Sequence, residues 1–110
     1  MNEPTGIQIV RLGGELEIGR KRELRDAFEL SPDARAVLVD LSEVTYADST
    51  ALTELLRFCV MAQRAGRPIA IVIRTRQFSR LVQYAGLAGA FKVFETYDDA
   101  LTFLQEQLAI

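Results

Sequence analysis

Two short and almost unbroken apolar runs constrain this sequence more than any other feature. Residues 36–41 read Ala-Val-Leu-Val-Asp-Leu, and residues 69–73 read Ile-Ala-Ile-Val-Ile. Runs of this length and composition are typical of central strands that are covered on both faces. The chain between them has the apolar spacing of a helix, which indicates parallel strands joined by a crossover. The pattern therefore favours an α/β layer structure.

The helix between the two runs has a well-defined apolar stripe. It begins near Ser49 and is expected to end before Gly66, which suits a left-handed helix cap. The spacing predicts that the stripe packs against the two central strands. Its members are Leu52, Leu55, Leu56, Cys59 and Ala62. Cys59 is predicted to be a core residue, since no histidine is present to activate its thiol.

The remaining segments complete an alternating order of strands and helices. The start of the chain is predicted to form a hairpin. Its first strand is residues 7–12, its turn is Gly13 and Gly14, and its returning strand is residues 15–18. Residues 92–95 are predicted to form a short last strand, and Thr96 is predicted to cap the final helix. The predicted order is β-β-α-β-α-β-α-β-α. We expect an α/β fold with a mixed central sheet of about four or five strands, helices packed on it, and one domain over residues 1–110.

Composition removes several classes of function. The 110 residues include no histidine and one cysteine, so the usual general base and the common transition-metal ligands are missing. A net charge of −2 gives no global reason to bind nucleic acid directly. No apolar run reaches the about 18 residues of a membrane span, and a cytoplasmic location is expected. We therefore expect no enzyme, no cofactor, no metal and no membrane insertion.

The most informative segment is the polar sequence Asp48-Ser49-Thr50 at the start of the second helix. Residues of these types accept hydrogen bonds from the free amides of a first helical turn, and each cap contributes about 1 kcal/mol. Any of the three could therefore be a simple helix cap. Asp40, near the carboxyl end of a buried strand, is interpreted as a carboxylate that supports the following loop.

The same segment resembles the signature of the STAS domain family, which includes bacterial anti-sigma factor antagonists. In that signature an apolar strand ends in Asp-Leu, as at Asp40 and Leu41, and a loop leads to Asp-Ser-Ser or Asp-Ser-Thr, as at residues 48–50. The sequence Gly-Glu-Leu-Glu at residues 14–17 resembles the family's early turn. Residues 86–101 resemble its C-terminal third. The likeness covers almost the whole chain in the right order.

The resemblance implies a regulatory binding protein that is switched by phosphorylation. Ser49 matches the serine that a partner kinase, which is also the anti-sigma factor, phosphorylates in the family; Thr50 is the alternative acceptor. A serine phosphatase would reverse the modification. The residues expected to form the partner surface are Asp48, Ser49, Thr50, Ala51, Thr53 and Glu54.

Two other functions stay open from the sequence. The first is a STAS subunit of a phospholipid-transport ABC system that binds the ATPase without phosphorylation. The stretch of residues 62–68 suits that subfamily, and Ala51, which stands where the family usually has glycine, would be harmless there. The second is a small enzyme that uses Asp40 and Asp48 as a carboxylate pair. The sequence names neither the anti-sigma factor nor the oligomeric state.

Overall fold

The computed structural model describes residues 6–87, 89 and 91–109 and contains one parallel sheet covered by helices. The strands are β1 (Ile7–Leu16), β2 (Ala36–Ala47), β3 (Ile69–Ile73) and β4 (Val93–Phe94). Their order in the sheet is β1-β2-β3-β4. The helices are α1 (Lys21–Ala27, after a 3-10 turn at Ile18–Arg20), α2 (Ser49–Arg64), α3 (Arg76–Tyr84) and α4 (Tyr97–Leu108). The predicted α/β fold class is confirmed, but the described strands form a parallel sheet where a mixed sheet was expected.

Both faces of the central strands are buried, as the unbroken apolar runs predicted. On one face, Val37, Val39 and Ile71 belong to the core that includes residues of α1, α2 and α3. On the other face, Leu38 and Val72 pack in a second cluster with α4. Because successive side chains of a strand point to opposite faces, a strand covered on both sides must be apolar at nearly every position.

The predicted opening hairpin is wrong. Residues 7–16 form a single strand that pairs with β2 in parallel, and each described strand pair is parallel. The two glycines mark irregularities of register instead of a turn. Gly14 has φ of 75°, and a Cβ on Gly13 would lie 3.1 Å from the Cβ of Glu43. The glycines thus let β1 bend against β2 without reversing direction.

Strand β2 is longer than the sequence predicted. It continues beyond Leu41 to Ala47, where a polar loop was expected, and its second half pairs with the second half of β1. Val44 and Ala47 are buried in this half, while Thr45 and Tyr46 are exposed. The extension carries the start of α2 past the end of β3 and places it beside Leu16.

The apolar stripe of α2 is confirmed with one correction. Leu55 and Cys59 are buried, but Leu56 lies at the margin of the core and is only half-buried. Phe58, which the stripe did not include, is fully buried and stacks on Phe28 of the neighbouring segment with ring centroids 5.5 Å apart. The buried face of the helix is therefore rotated slightly from the predicted one.

The predicted helix ends at Gly66 and Thr96 are confirmed, and Gly86 ends α3 in the same way as Gly66 ends α2. Gly66 and Gly86 adopt φ of 70° and 72° just beyond the ends of α2 and α3. At the start of α4, the Thr96 hydroxyl accepts a hydrogen bond from the Asp99 amide at 3.1 Å. These ends fix the lengths of the helices that cover the sheet.

Candidate functional site

Asp48 holds the turn that connects β2 to α2. Its Oδ1 accepts a hydrogen bond from the Ala51 amide at 3.1 Å, which is the expected cap of the helix. Its Oδ2 accepts a second bond from the Ile18 amide at 3.1 Å, and its own amide donates to the Leu16 carbonyl at 3.0 Å. Asp48 therefore both caps α2 and ties its start to the end of β1.

Ser49 is the first residue of α2, and its side chain is exposed. Because Asp48 supplies the cap, the Ser49 hydroxyl makes no hydrogen bond with the described part of the chain. The Ser49 carbonyl accepts a bond from the Thr53 hydroxyl at 2.9 Å. Thr50 is half-buried. The most accessible hydroxyl of the first turn is thus that of Ser49, at the positive end of the helix dipole.

Gln77, which the sequence analysis missed, supports the same turn. Its side-chain amide accepts a bond from the Ala47 amide at 2.9 Å and donates one to the Ala47 carbonyl at 2.6 Å. The side chain thus occupies the place of a neighbouring strand at the end of β2, where β3 has already ended. A glutamine in an amphipathic helix carries no sequence signal for such a contact.

Two of the predicted partner-binding residues point into the domain. Ala51 is buried, and the Glu54 side chain is only 2% exposed. The Glu54 carboxylate forms two ion pairs, through Oε2 with Arg25 Nη2 at 3.2 Å and through Oε1 with Arg57 Nε at 3.1 Å. The hydrogen bond from Arg25 is the main reason that the pKa of Glu54 lies below its usual value; Arg57 lowers it further, while burial opposes both. Glu54 joins α1 to α2.

Exposed apolar side chains border the Ser49 turn. Ile18, whose amide is bound by Asp48, is 68% exposed, and Tyr46 at the end of β2 is 45% exposed. Single exposed apolar residues are common, but these two flank the same hydrogen-bonded turn. Neither was selected from the sequence, because the predicted loop hid the strand that places Tyr46 there.

The contacts of Asp40 and the burial of Cys59 indicate structural roles for both residues. Asp40 accepts hydrogen bonds from the Arg11 side chain at 3.2 Å and from the Ser42 amide at 3.1 Å, as expected for a supporting carboxylate. Burial raises the pKa of the Cys59 thiol to about 12, so it is not a thiolate at neutral pH. In the described ranges no group of three or more acidic, histidine or cysteine residues could hold a metal ion.

The proposed carboxylate pair does not form. Asp40 lies inside β2 and Asp48 follows its last residue. At about 3.3 Å per strand residue, eight positions separate them by roughly 26 Å, well beyond the roughly 5–10 Å between carboxylates that act on one bond. Asp40 and Asp48 therefore cannot act together as the carboxylate pair of an enzyme.

The chain is similar to proteins of a known family. The family model described as the STAS domain matches residues 1–100. The chain belongs to the STAS domain family. A relative, the anti-sigma-F factor antagonist RsfB of Mycobacterium tuberculosis, is 27% identical over 102 residues, which cover 89% of this chain and 81% of RsfB. The predicted resemblance to anti-sigma factor antagonists is confirmed.

Solved structures show the same STAS fold. A sulfate transporter family protein from Wolinella succinogenes superposes with a TM-score of 0.84 at 17% identity, over 97% of this chain and 91% of that one. An anti-sigma factor antagonist from Mycobacterium paratuberculosis gives 0.81 at 24% identity, over 94% and 90%. In the described ranges, this STAS domain has no helix that is long and apolar enough to cross a membrane.

Proposed function

We propose that this STAS domain is an anti-sigma factor antagonist that binds its partner through the start of α2 and is switched off by phosphorylation of Ser49. The observation that carries the proposal is that Asp48, and not the neighbouring Ser49, caps the helix. Asp48 caps the helix, so the exposed Ser49 hydroxyl has no structural task in the described chain. A hydroxyl in that situation can be modified without the loss of a native hydrogen bond.

The proposed docking surface combines the exposed hydroxyls with the apolar residues beside them. Ser49, Thr50 and Thr53 contribute polar groups, and Ile18 and Tyr46 contribute apolar area at its border. Ala51 and Glu54 support this surface without being exposed on it. The Ala51 amide donates the capping hydrogen bond to Asp48, and the ion pair of Glu54 with Arg25 holds α2 against α1. Apolar residues surrounded by hydrogen-bonding groups are the usual composition of a protein interface.

The switch follows from the charge of a phosphate at this position. A phosphoserine adds about −1.5 to −2 charges at neutral pH. The amino end of α2 tolerates an anion, so the fold is retained. A partner that covers the turn must instead desolvate this charge beside the Asp48 carboxylate, and affinity falls. A serine phosphatase would restore the binding form.

The test is phosphorylation by the cognate anti-sigma kinase with ATP. One phosphate should be added and mapped to Ser49 by mass spectrometry, and Ser49→Ala should abolish it. Thr102→Ala is the matched control, because it removes an exposed hydroxyl on α4, outside the proposed docking surface, and should leave phosphorylation intact. Modification that persists at Thr50 in Ser49→Ala, or no modification by a kinase that binds the domain, would overturn the assignment of Ser49.

The alternative role in a phospholipid-transport ABC system has less support. The sulfate transporter family protein shares the fold at 17% identity, and that likeness carries no function. Partner binding by variants at residue 49 separates the two roles. A transport subunit would bind its ATPase with equal affinity whether residue 49 is serine, alanine or aspartate.

A further inference from the structure

A groove runs between α3 and the edge strand β4, on the face of the sheet that α3 covers. Its lower part is a cavity of about 360 Å³ lined by residues including Ile73, Ser79, Val82 and Phe91. Its upper part, of about 530 Å³, adds Arg74, Arg76 and Glu95. The two parts share Ile73, Ser79, Val93 and Phe94, so they form one continuous space. Both volumes fall in the range of small-molecule sites, roughly 300–1,000 Å³.

The groove exists because β4 is too short to cover its neighbour. Its two residues pair with Ile71 and Val72, and no described strand residue pairs with Ile73 on that side. Helix α3 spans nine residues and leaves Val93 39% exposed. Val82, Phe91 and Ile73 give the lower part an apolar floor, and Gln83 and the exposed Lys92 also line it. This floor can accept a hydrocarbon chain.

The upper part of the groove is cationic. Arg74 and Arg76 are exposed there, and neither forms an ion pair with a described residue. Glu95 is the single carboxylate among the residues that line it. Two guanidinium groups against one carboxylate leave a net positive end. Arginine binds carboxylate and phosphate oxygens with paired, charge-assisted hydrogen bonds.

We propose that the α3–β4 groove binds a single-chain amphipathic anion, with its hydrocarbon chain over Val82 and Phe91 and its anionic head between Arg74 and Arg76. An apolar cavity that opens directly onto unpaired guanidinium groups matches the two ends of such a molecule. A medium-chain fatty acid has this chemistry. The site shares no residue with the proposed Ser49 docking surface, so it stands independently of the proposed function.

The test is an NMR titration of the intact domain with octanoate and, in parallel, with octan-1-ol. Octanoate should shift the amides of Ser79, Val82 and Val93 in a saturable manner. Octan-1-ol has the same chain without the charge and should bind at least roughly tenfold more weakly. The double variant Arg74→Gln/Arg76→Gln should weaken octanoate by a similar factor. Arg64→Gln/Arg67→Gln, which removes two exposed arginines elsewhere, is the matched control and should leave octanoate binding unchanged.

A second variant tests the apolar part of the groove. Val93→Trp should fill the lower cavity and reduce octanoate binding while the thermal midpoint stays close to that of the wild type. Equal affinities for octanoate and octan-1-ol, unchanged binding by the arginine double variant, or shifts confined to other parts of the domain would each overturn the proposal.

Flotation with phosphatidylcholine vesicles that contain lysophosphatidylglycerol, a single-chain anion, decides the source of the ligand. Octanoate binding without co-flotation of the domain supports a free fatty acid. Co-flotation that is lost in Arg74→Gln/Arg76→Gln supports the same ligand chemistry with a membrane lipid as the source. Co-flotation that the double variant retains contradicts the groove as the binding site.

Discussion

At the scale of single residues, the carboxylate of Asp48 does what no serine or threonine could do in its place. One oxygen caps α2, and the other binds the Ile18 amide, which is thirty positions away in the sequence. The sequence predicted a cap among Asp48, Ser49 and Thr50 but could not choose between them. The choice depends on Ile18, and a contact so distant along the chain leaves no local pattern.

Glu54 is the residue whose ionisation should affect stability most directly. Its pKa is lowered in the folded state, mainly by Arg25, so its contribution is present above the unfolded pKa of about 4.3 and is lost as pH falls through the folded value. Both arginines are partly in solvent, so screening keeps the contribution modest. We expect Glu54→Gln to cost about 1 kcal/mol at pH 7 and less near pH 3, which lies below the unfolded pKa.

Urea unfolding of wild type and Glu54→Gln at both pH values measures this difference. Glu43→Gln is the control, because Glu43 is exposed and has no ion pair with a described residue. A loss that is as large at pH 3 as at pH 7 would show that Glu54 acts through packing alone.

At the scale of elements, the periodicity of apolar residues predicted individual helices and strands correctly. It failed for the pairing of β1 with β2, which are distant in the sequence. The bounds of β3 and the start of α2 agree with the sequence, because their apolar patterns match the strand and helix repeats. The hairpin was wrong because two adjacent glycines suit a turn and a bulge equally well. The partner that decides between them is β2, and its pairing with β1 is not written in either segment.

The stripe of α2 gives a matched pair of core substitutions. Leu55→Ala should cost roughly 2–5 kcal/mol, because it empties a fully buried position. Leu56→Ala should cost only about 1 kcal/mol, since that side chain is half-buried at the margin of the core. Urea denaturation of both variants measures the difference. Equal losses would mean that the two neighbours are equally buried in solution.

At the scale of the whole molecule, phosphorylation should change binding and leave the fold in place. The Ser49 turn is held by β1 through Asp48 and by α3 through Gln77, so a new charge there meets a supported surface. We expect Ser49→Asp to weaken partner binding at least about tenfold, or about 1.4 kcal/mol. Its thermal midpoint should stay near that of the wild type.

NMR amide shifts and partner affinity measure the effect of Ser49→Asp. Amide shifts should be confined to residues 44–48, the first two turns of α2, and the two contacts at Ile18 and Gln77. Thr102→Asp, on the exposed side of α4, is the control and should leave partner affinity unchanged. Shifts that spread through β3 and α4 would indicate a refolding switch, and unchanged affinity for Ser49→Asp would leave Ser49 without a regulatory role.

The strand order β1-β2-β3-β4 also bears on how the chain reaches its native state. Neighbours in the sheet are neighbours along the chain, so every strand pairing closes a loop that holds only one helical connection. Closing such a loop costs less chain entropy than joining distant segments. The unit from β2 through α2 to β3 contains most of the buried apolar positions and can collapse on its own residues. Folding can therefore start at the centre of the sheet and add one strand at each edge, so the switch helix is ordered early.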